Sequence, residues 1–309
     1  MNEFELIARL TRALPTNETV VAGAGDDCAV LDLGVPDKLV LFKTDAVVEG
    51  IHFTSATPPE KIGRKALARC LSDIAAMAGT PTAALVTVAL PRDYDPEFVV
   101  RIYDGLNALA TRFKVAIAGG ETTTNPGGIL ISIALLGLVE RGKQITRGGA
   151  KAGDAIFVTG ELGGSLAGKH LDFEPRLAEA RWLADHFHLH AMLDVSDGLA
   201  GDLRHILKAG QVGAEILKSA LPVSRAARLQ SRGRQPAALA ALTDGEDFEL
   251  LFTVASKDAV RLLDAWKKQF PELKLSCIGR LVAGEGIWLR DKTGTHPFGA
   301  PGYEHFGGR

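Results

Sequence analysis

Strand-like and helix-like patterns alternate along this chain without a regular strand–helix–strand cadence, and that irregularity constrains the fold more than any other feature. In the first half, residues 39–44, 84–90, 115–118 and 129–138 are short β-rich runs. Between them lie two amphipathic helical stretches. Residues 62–77 place Ile62, Ala66, Cys70, Ile74 and Met77 on one face, and 96–113 do the same with Val99, Ile102, Leu106, Leu109 and Phe113. In the second half the strand-like 155–159 leads through a Gly-rich turn into helical patterns up to about 188. The strand 191–195, the helix 199–209, the strand 250–254 and the helix 260–270 follow. Such mixing predicts an α+β architecture rather than a doubly wound sheet. At 309 residues, 46% of them apolar, the chain is long enough for two cores. Residues 142–154, GKQITRGGAKAGD, form the natural boundary, giving domains over 1–145 and 146–309.

A formal charge of −2 and the lack of a dense Lys/Arg stretch exclude a nucleic-acid surface, which relies on clustered cations. The opening MNEFELIARLTRAL carries Glu3 and Glu5 within an apolar-periodic stretch, so it reads as a first helix, not a signal peptide. The longest apolar run, 129–139, is interrupted by Ser132 and Gly137 and is too short to span a bilayer. A cytoplasmic protein without a membrane partner is expected. Cys28, Cys70 and Cys277 are scattered and odd in number, which predicts free thiols rather than disulfides or a zinc site.

Carboxylates recur beside glycines and at strand ends: Gly25-Asp26-Asp27, Thr44-Asp45, Gly120-Glu121, Asp194-Val195-Ser196-Asp197-Gly198 and Asp244-Gly245-Glu246-Asp247. Any one Asp-Gly pair is most simply a turn former. Five together suggest a site where hard cations sit between carboxylates and phosphates, the arrangement magnesium favours. Asp73 lies on the apolar face of its helix and needs a partner: either Arg69 one turn earlier or a metal ion, and spacing does not choose between them. His52, between Ile51 and Phe53, reads by itself as a hydrogen-bonded structural histidine. The run 163–170, GGSLAGKH, matches a P-loop up to Lys169 but has His170 where a hydroxyl must reach magnesium. A Gly-rich turn is the better reading.

Taken in order, these motifs resemble the thiamine-monophosphate kinases, a family within the superfamily of aminoimidazole-ribonucleotide synthetase, selenophosphate synthetase and a hydrogenase maturation protein. The resemblance runs through GAGDDCAVL, TDAVVEGIHF, LSDIAAMAG, GGETT, ITRGGAKAGD, VTGELGGSLAG, DVSDGLAGDL, DGEDFELLFTV and GYEHF. It implies an aminoimidazole-ribonucleotide synthetase-like fold: an α/β N-terminal domain that pairs through its sheet into a homodimer, and an α+β C-terminal domain. By position, Asp27, Thr44, Asp45, Asp73, Glu121, Asp194 and Asp197 are implied magnesium ligands. Tyr103, Gly120, Arg147 and Ser196 are implied ATP contacts, and His52, Glu246, Tyr303 and Phe306 would face thiamine monophosphate. Whether potassium is also required is left open.

The implied reaction is direct in-line transfer of the γ-phosphoryl group of ATP to thiamine monophosphate, giving thiamine diphosphate. No covalent nucleophile is needed, because alignment and charge neutralisation carry the catalysis. Three positions depart from the family pattern. Glu121 stands where Asp is usual, Lys43 where a small hydroxyl residue is common, and Asp244 where Gly or Ser is commoner. They leave two rivals: a sister ATP-dependent activity such as aminoimidazole-ribonucleotide synthesis, and a nucleotide-binding paralogue without catalysis.

Overall fold

The computed structural model describes residues 3–230, 235–300 and 303. They form two compact units, one from residues 18–144 and 168–181, the other from the described parts of 1–17, 145–167 and 182–309. The described part of 1–17 thus joins the second unit, and residues 168–181 join the first.

The chain opens with α1 (Glu3–Thr11), which belongs to the second unit. The first unit is built on β1 (Val20–Ala22), β2 (Ala29–Leu31), β3 (Lys38–Val48), β4 (Thr80–Leu90), β5 (Ala116–Thr124) and β6 (Leu130–Glu140). Their order in the sheet is β1-β2-β3-β6-β4-β5, and only β4 and β5 run parallel. Helices α2 (Pro59–Ala76) and α3 (Pro96–Phe113) pack on each other, α2 against the sheet. All five residues predicted for the apolar face of α2 are buried. Asp95 caps α3 by accepting from the Glu97 amide, and Lys114 ends it in the left-handed conformation. The other face of the sheet carries Phe42, Leu85 and Leu136, which are 44%, 50% and 38% exposed.

The first unit also includes α4 (Lys169–Asp172) and the start of α5 (Leu177–His186), while the second contains β7 (Asp154–Thr159), the end of α5, β8 (Leu189–Asp194), α6 (Leu199–Gly210), β9 (Gly213–Leu217), α7 (Arg225–Gln230), α8 (Ala237–Thr243), β10 (Leu250–Ala255), α9 (Ala259–Gln269), β11 (Leu275–Val282), β12 (Ile287–Asp291) and β13 (Gly294–Phe298). Its sheet runs β13-β12-β9-β11-β7-β10-β8, antiparallel except for β12 on β9. Every residue of β7 is buried, which is why it reads as an unbroken apolar run rather than an alternating one. Ile156, Val158, Leu193, Leu203, Ile206, Ile216, Leu251 and Ile278 form the core beneath α6. The strands expected at 155–159, 250–254 and 191–195 are thus three adjacent strands at one end of this sheet.

Candidate functional site

Alternation along β3 sorts its polar residues. Lys43 and Asp45 pair in register with the buried Leu135 and Ile133 and face the helices, whereas Thr44 pairs with Ala134 on the exposed face. The Thr44 hydroxyl lies 3.4 Å from that of Ser132. On the helix face, α2 supplies Arg69 and Asp73 one turn apart. Lys43 Nζ is 3.0 Å from Asp73 Oδ1, and Arg69 Nε is 3.0 Å from Asp45 Oδ2. Asp27, buried just before β2, places a carboxylate oxygen within 4.8 Å of one on Asp73.

Burial alone draws the Lys43 ammonium toward neutrality, but the charges of Asp73, Asp45 and Asp27 outweigh it and hold its pKa above the ordinary lysine value. The neighbouring thiols go the other way chemically. Cys28 and Cys70 are raised well above the usual thiol range, chiefly by burial, with Asp73 pushing Cys28 and Asp45 pushing Cys70 further. Neither is a nucleophile, which agrees with the free, structural thiols expected from their spacing.

Oxygen donors alone, buried and anionic, suit a hard cation. Two oxygens on one magnesium octahedron are at most about 4.2 Å apart, so a small side-chain rotation closes the Asp27–Asp73 gap. Glu121 is placed differently. It is exposed on edge strand β5 and pairs with Thr87, itself paired with Ser132, so its side chain shares the face of Thr44. The sheet therefore separates the side chains of Thr44 and Glu121 from those of Asp27, Asp45 and Asp73.

His52 follows β3 in a turn where the Val48 amide donates to its Nδ1 at 3.0 Å. The proton of the neutral ring therefore sits on Nε2. The fully buried Lys65 donates to the His52 carbonyl at 2.7 Å and anchors the turn to α2. Tyr103 is half-buried on α3, and burial raises its phenol pKa. Gly120 lies against β4 so closely that a Cβ would fall 1.8 Å from the Val86 carbonyl oxygen.

In the second unit, β8 ends at Asp194 and the chain turns through Val195, Ser196 and Asp197 into α6. This turn is stitched to the segment before β10: Glu246 N donates to Ser196 O at 2.6 Å, Phe248 N to Val195 O at 2.7 Å and Val195 N to Glu249 O at 2.8 Å. Glu246 and Phe248 hold φ of 64° and 51°, left-handed values that cost side-chain-bearing residues about 1 kcal/mol or more each. The Tyr303 amide donates to Asp197 O at 2.9 Å. Asp202, one turn into α6, accepts from the Asp197 amide at 3.0 Å. Its carboxyl pKa is raised, first by burial and then by Asp197 and Asp194, while half-buried Arg147 opposes the shift. Sequence reasoning missed Asp202 and Lys65; only the depth of their burial marks them, and spacing does not show it.

The P-loop look-alike serves another purpose. Gly163 and Gly164 hold φ of 84° and 69°, and their amides donate to Asp247 at 2.8 Å and Asp244 at 2.9 Å. Those N–H groups are committed to the protein's own carboxylates, so the turn is no phosphate cradle. Thr159 donates to Glu249 at 2.8 Å, and Ser165 donates to the Glu246 carbonyl at 2.5 Å. Beside this knot lies a cavity of about 700 Å³ lined by Ser165, Gln230, Gln235, Thr243, Asp244 and Tyr303 among others. Phe306 lies outside the described residues.

Residues 25–139 match the family model for the AIR synthase related protein, N-terminal domain, and residues 151–292 that for its C-terminal domain. The thiamine-monophosphate kinase of Rhodopirellula baltica is 41% identical over 292 residues, covering 92% of this chain and 89% of that protein. The thiamine-monophosphate kinase of Escherichia coli K12 is 35% identical, with 98% of each chain covered. A solved structure of AaThiL complexed with AMPPCP and TMP superposes with a TM-score of 0.81 at 29% identity, covering 99% of this chain and 97% of that one.

Proposed function

This chain belongs to the thiamine-monophosphate kinase family, and from that premise we propose that it transfers the γ-phosphoryl group of ATP to thiamine monophosphate, yielding thiamine diphosphate and ADP. The observation that carries this reading is that such near-full-length similarity accompanies a group of carboxylates in each unit, buried Asp27 and Asp73 with half-buried Asp45 in one and buried Asp194 with half-buried Asp197 in the other.

In the first unit Asp27, Asp45 and Asp73 would hold magnesium, with Thr44 and Glu121 as further oxygen donors, and in the second Asp194 and Asp197 would do the same. Bound there, magnesium would supply the positive charge that lets donor and acceptor phosphates approach. The chain's own residues do the rest. Lys43 and Arg69 fix the carboxylates of Asp73 and Asp45 in place. Arg147 and Ser196, with Gly120 and Tyr103, contact the nucleotide. On the acceptor side, His52 presents Nε2–H, and Glu246 and Asp244 offer negative charge to the thiazolium ring. The cavity beside Tyr303 is of a size suited to a small-molecule substrate. A phosphate monoester is already ionised at neutral pH, so no general base is required.

The exposed sheet face bearing Phe42, Leu85 and Leu136 is an apolar surface of the kind that a second copy covers, and we read the working protein as a homodimer. Sedimentation at micromolar concentration should give twice the chain mass; a monomer would exclude it. Among the described residues no helix is long and apolar enough to cross a membrane, and we place the protein in the cytoplasm.

Product analysis tests the activity. Purified protein with ATP, magnesium and thiamine monophosphate should form thiamine diphosphate and ADP. Free thiamine should give none, and Asp45→Asn should lower turnover by about 100-fold or more. Absence of thiamine diphosphate from the wild-type reaction overturns the proposal.

A further inference from the structure

The first unit's acidic group already contains a cation that the chain itself supplies. Lys43 leaves β3 on the helix face, its backbone fixed in register against Leu135, and its Nζ reaches Asp73 Oδ1 at 3.0 Å. Asp27, within 4.8 Å of Asp73, and Asp45, which Arg69 grips at 3.0 Å, complete the group. Three carboxylates facing one ammonium and one guanidinium carry a single net negative charge, where three alone would carry three.

An ammonium at this position and a magnesium ion on the same oxygen are alternatives. Magnesium requires an oxygen at about 2.1 Å, and an ammonium 3.0 Å from that oxygen lies where the ion and its waters would sit. Two cations so close would repel strongly in a half-buried setting. An ammonium also differs in kind from an ion, because it is tethered and cannot leave with product.

We propose that Lys43 is a resident cation, its ammonium holding against Asp73 a position that a divalent ion would otherwise take, so that the first unit binds one metal ion fewer than its carboxylates would hold without it. This rests on the reading that these carboxylates bind magnesium.

The test counts ions rather than turnover. Manganese bound per full-length chain is measured from the free-ion electron paramagnetic resonance signal, with and without a non-hydrolysable ATP analogue. Wild type is compared with Lys43→Ser, Lys43→Gln and Lys43→Arg. The serine and glutamine variants should each bind about one more ion per chain than wild type, and the arginine variant, which keeps the charge, should match wild type. Glutamine preserves most of the side-chain volume, so the comparison stands if the serine variant folds poorly. Equal counts in all four proteins, or a gain in the arginine variant as large as in the others, overturn the inference. Product analysis on the same samples separates the two readings: equal counts from a protein that makes thiamine diphosphate reject Lys43 as a resident cation alone. A gained ion in a protein family of variants that never makes product rejects only the substrate assignment.

Discussion

Replacing Gly120 by alanine tests whether that glycine serves the nucleotide or the sheet. The added Cβ would lie 1.8 Å from the Val86 carbonyl oxygen, 2.6 Å from its carbon and 2.9 Å from its nitrogen. Ordinary contact with that oxygen is about 3.4 Å, so β5 must retreat from β4 by about 1.5 Å at this point. Overpacking of this kind costs about 1–3 kcal/mol, and weakening the adjacent ladder hydrogen bond adds about 1 kcal/mol. The sum is about 2–4 kcal/mol, limited by the freedom of β5 to move as an edge strand. For a domain of this size that is a fall of roughly 5–15 °C in the thermal midpoint, measured by circular dichroism on ligand-free protein, with urea unfolding as a second measure. A variant within about 0.5 kcal/mol of wild type would refute the packing argument. If it also bound the ATP analogue more weakly, the glycine would be there for the ligand alone.

Asp247→Ala removes the buried acceptor of the Gly163 amide; a loss of about 2–4 kcal/mol is expected in urea unfolding of the second unit, and wild-type stability would show that the Gly163 turn does not depend on it. Cys28 and Cys70 have folded-state pKa values above their ordinary one. Their contribution to stability is therefore complete below the ordinary thiol pKa and is lost as pH rises through the folded values. Stability should fall on the alkaline side of about pH 8.5, less so in a Cys28→Ala, Cys70→Ala double variant; an identical alkaline slope in both proteins refutes this.

Much of the fold was legible because its main elements satisfy local and global preference together. Helices 62–77 and 96–113 show a full apolar stripe, and the strands near 39–44, 84–90 and 129–138 are long central members of the first sheet. Strands β1, β2, β9, β12 and β13 gave no such signal. They are short, β9 apart largely half-buried or exposed, and acquire their identity only by pairing with a neighbour. The run 163–170 resembles a P-loop in pattern only, as its His170 already indicates; the amides of Gly163 and Gly164 donate to Asp247 and Asp244, some 80 residues away.

The sequence by itself determined which residue types carry the chemistry, through the order of its carboxylate-bearing motifs and the family resemblance that those motifs carry. Pairing was decided by the tertiary structure. Helical spacing offered Arg69 as a partner for Asp73, yet Arg69 reaches Asp45 and Asp73 receives Lys43, because α2 lies across β3 and brings together charges 24 and 30 residues apart. Burial was decided there too, making Lys65 and Asp202 interior groups. Periodicity reports which face a residue takes, whereas partners and desolvation depend on which other element arrives at that face.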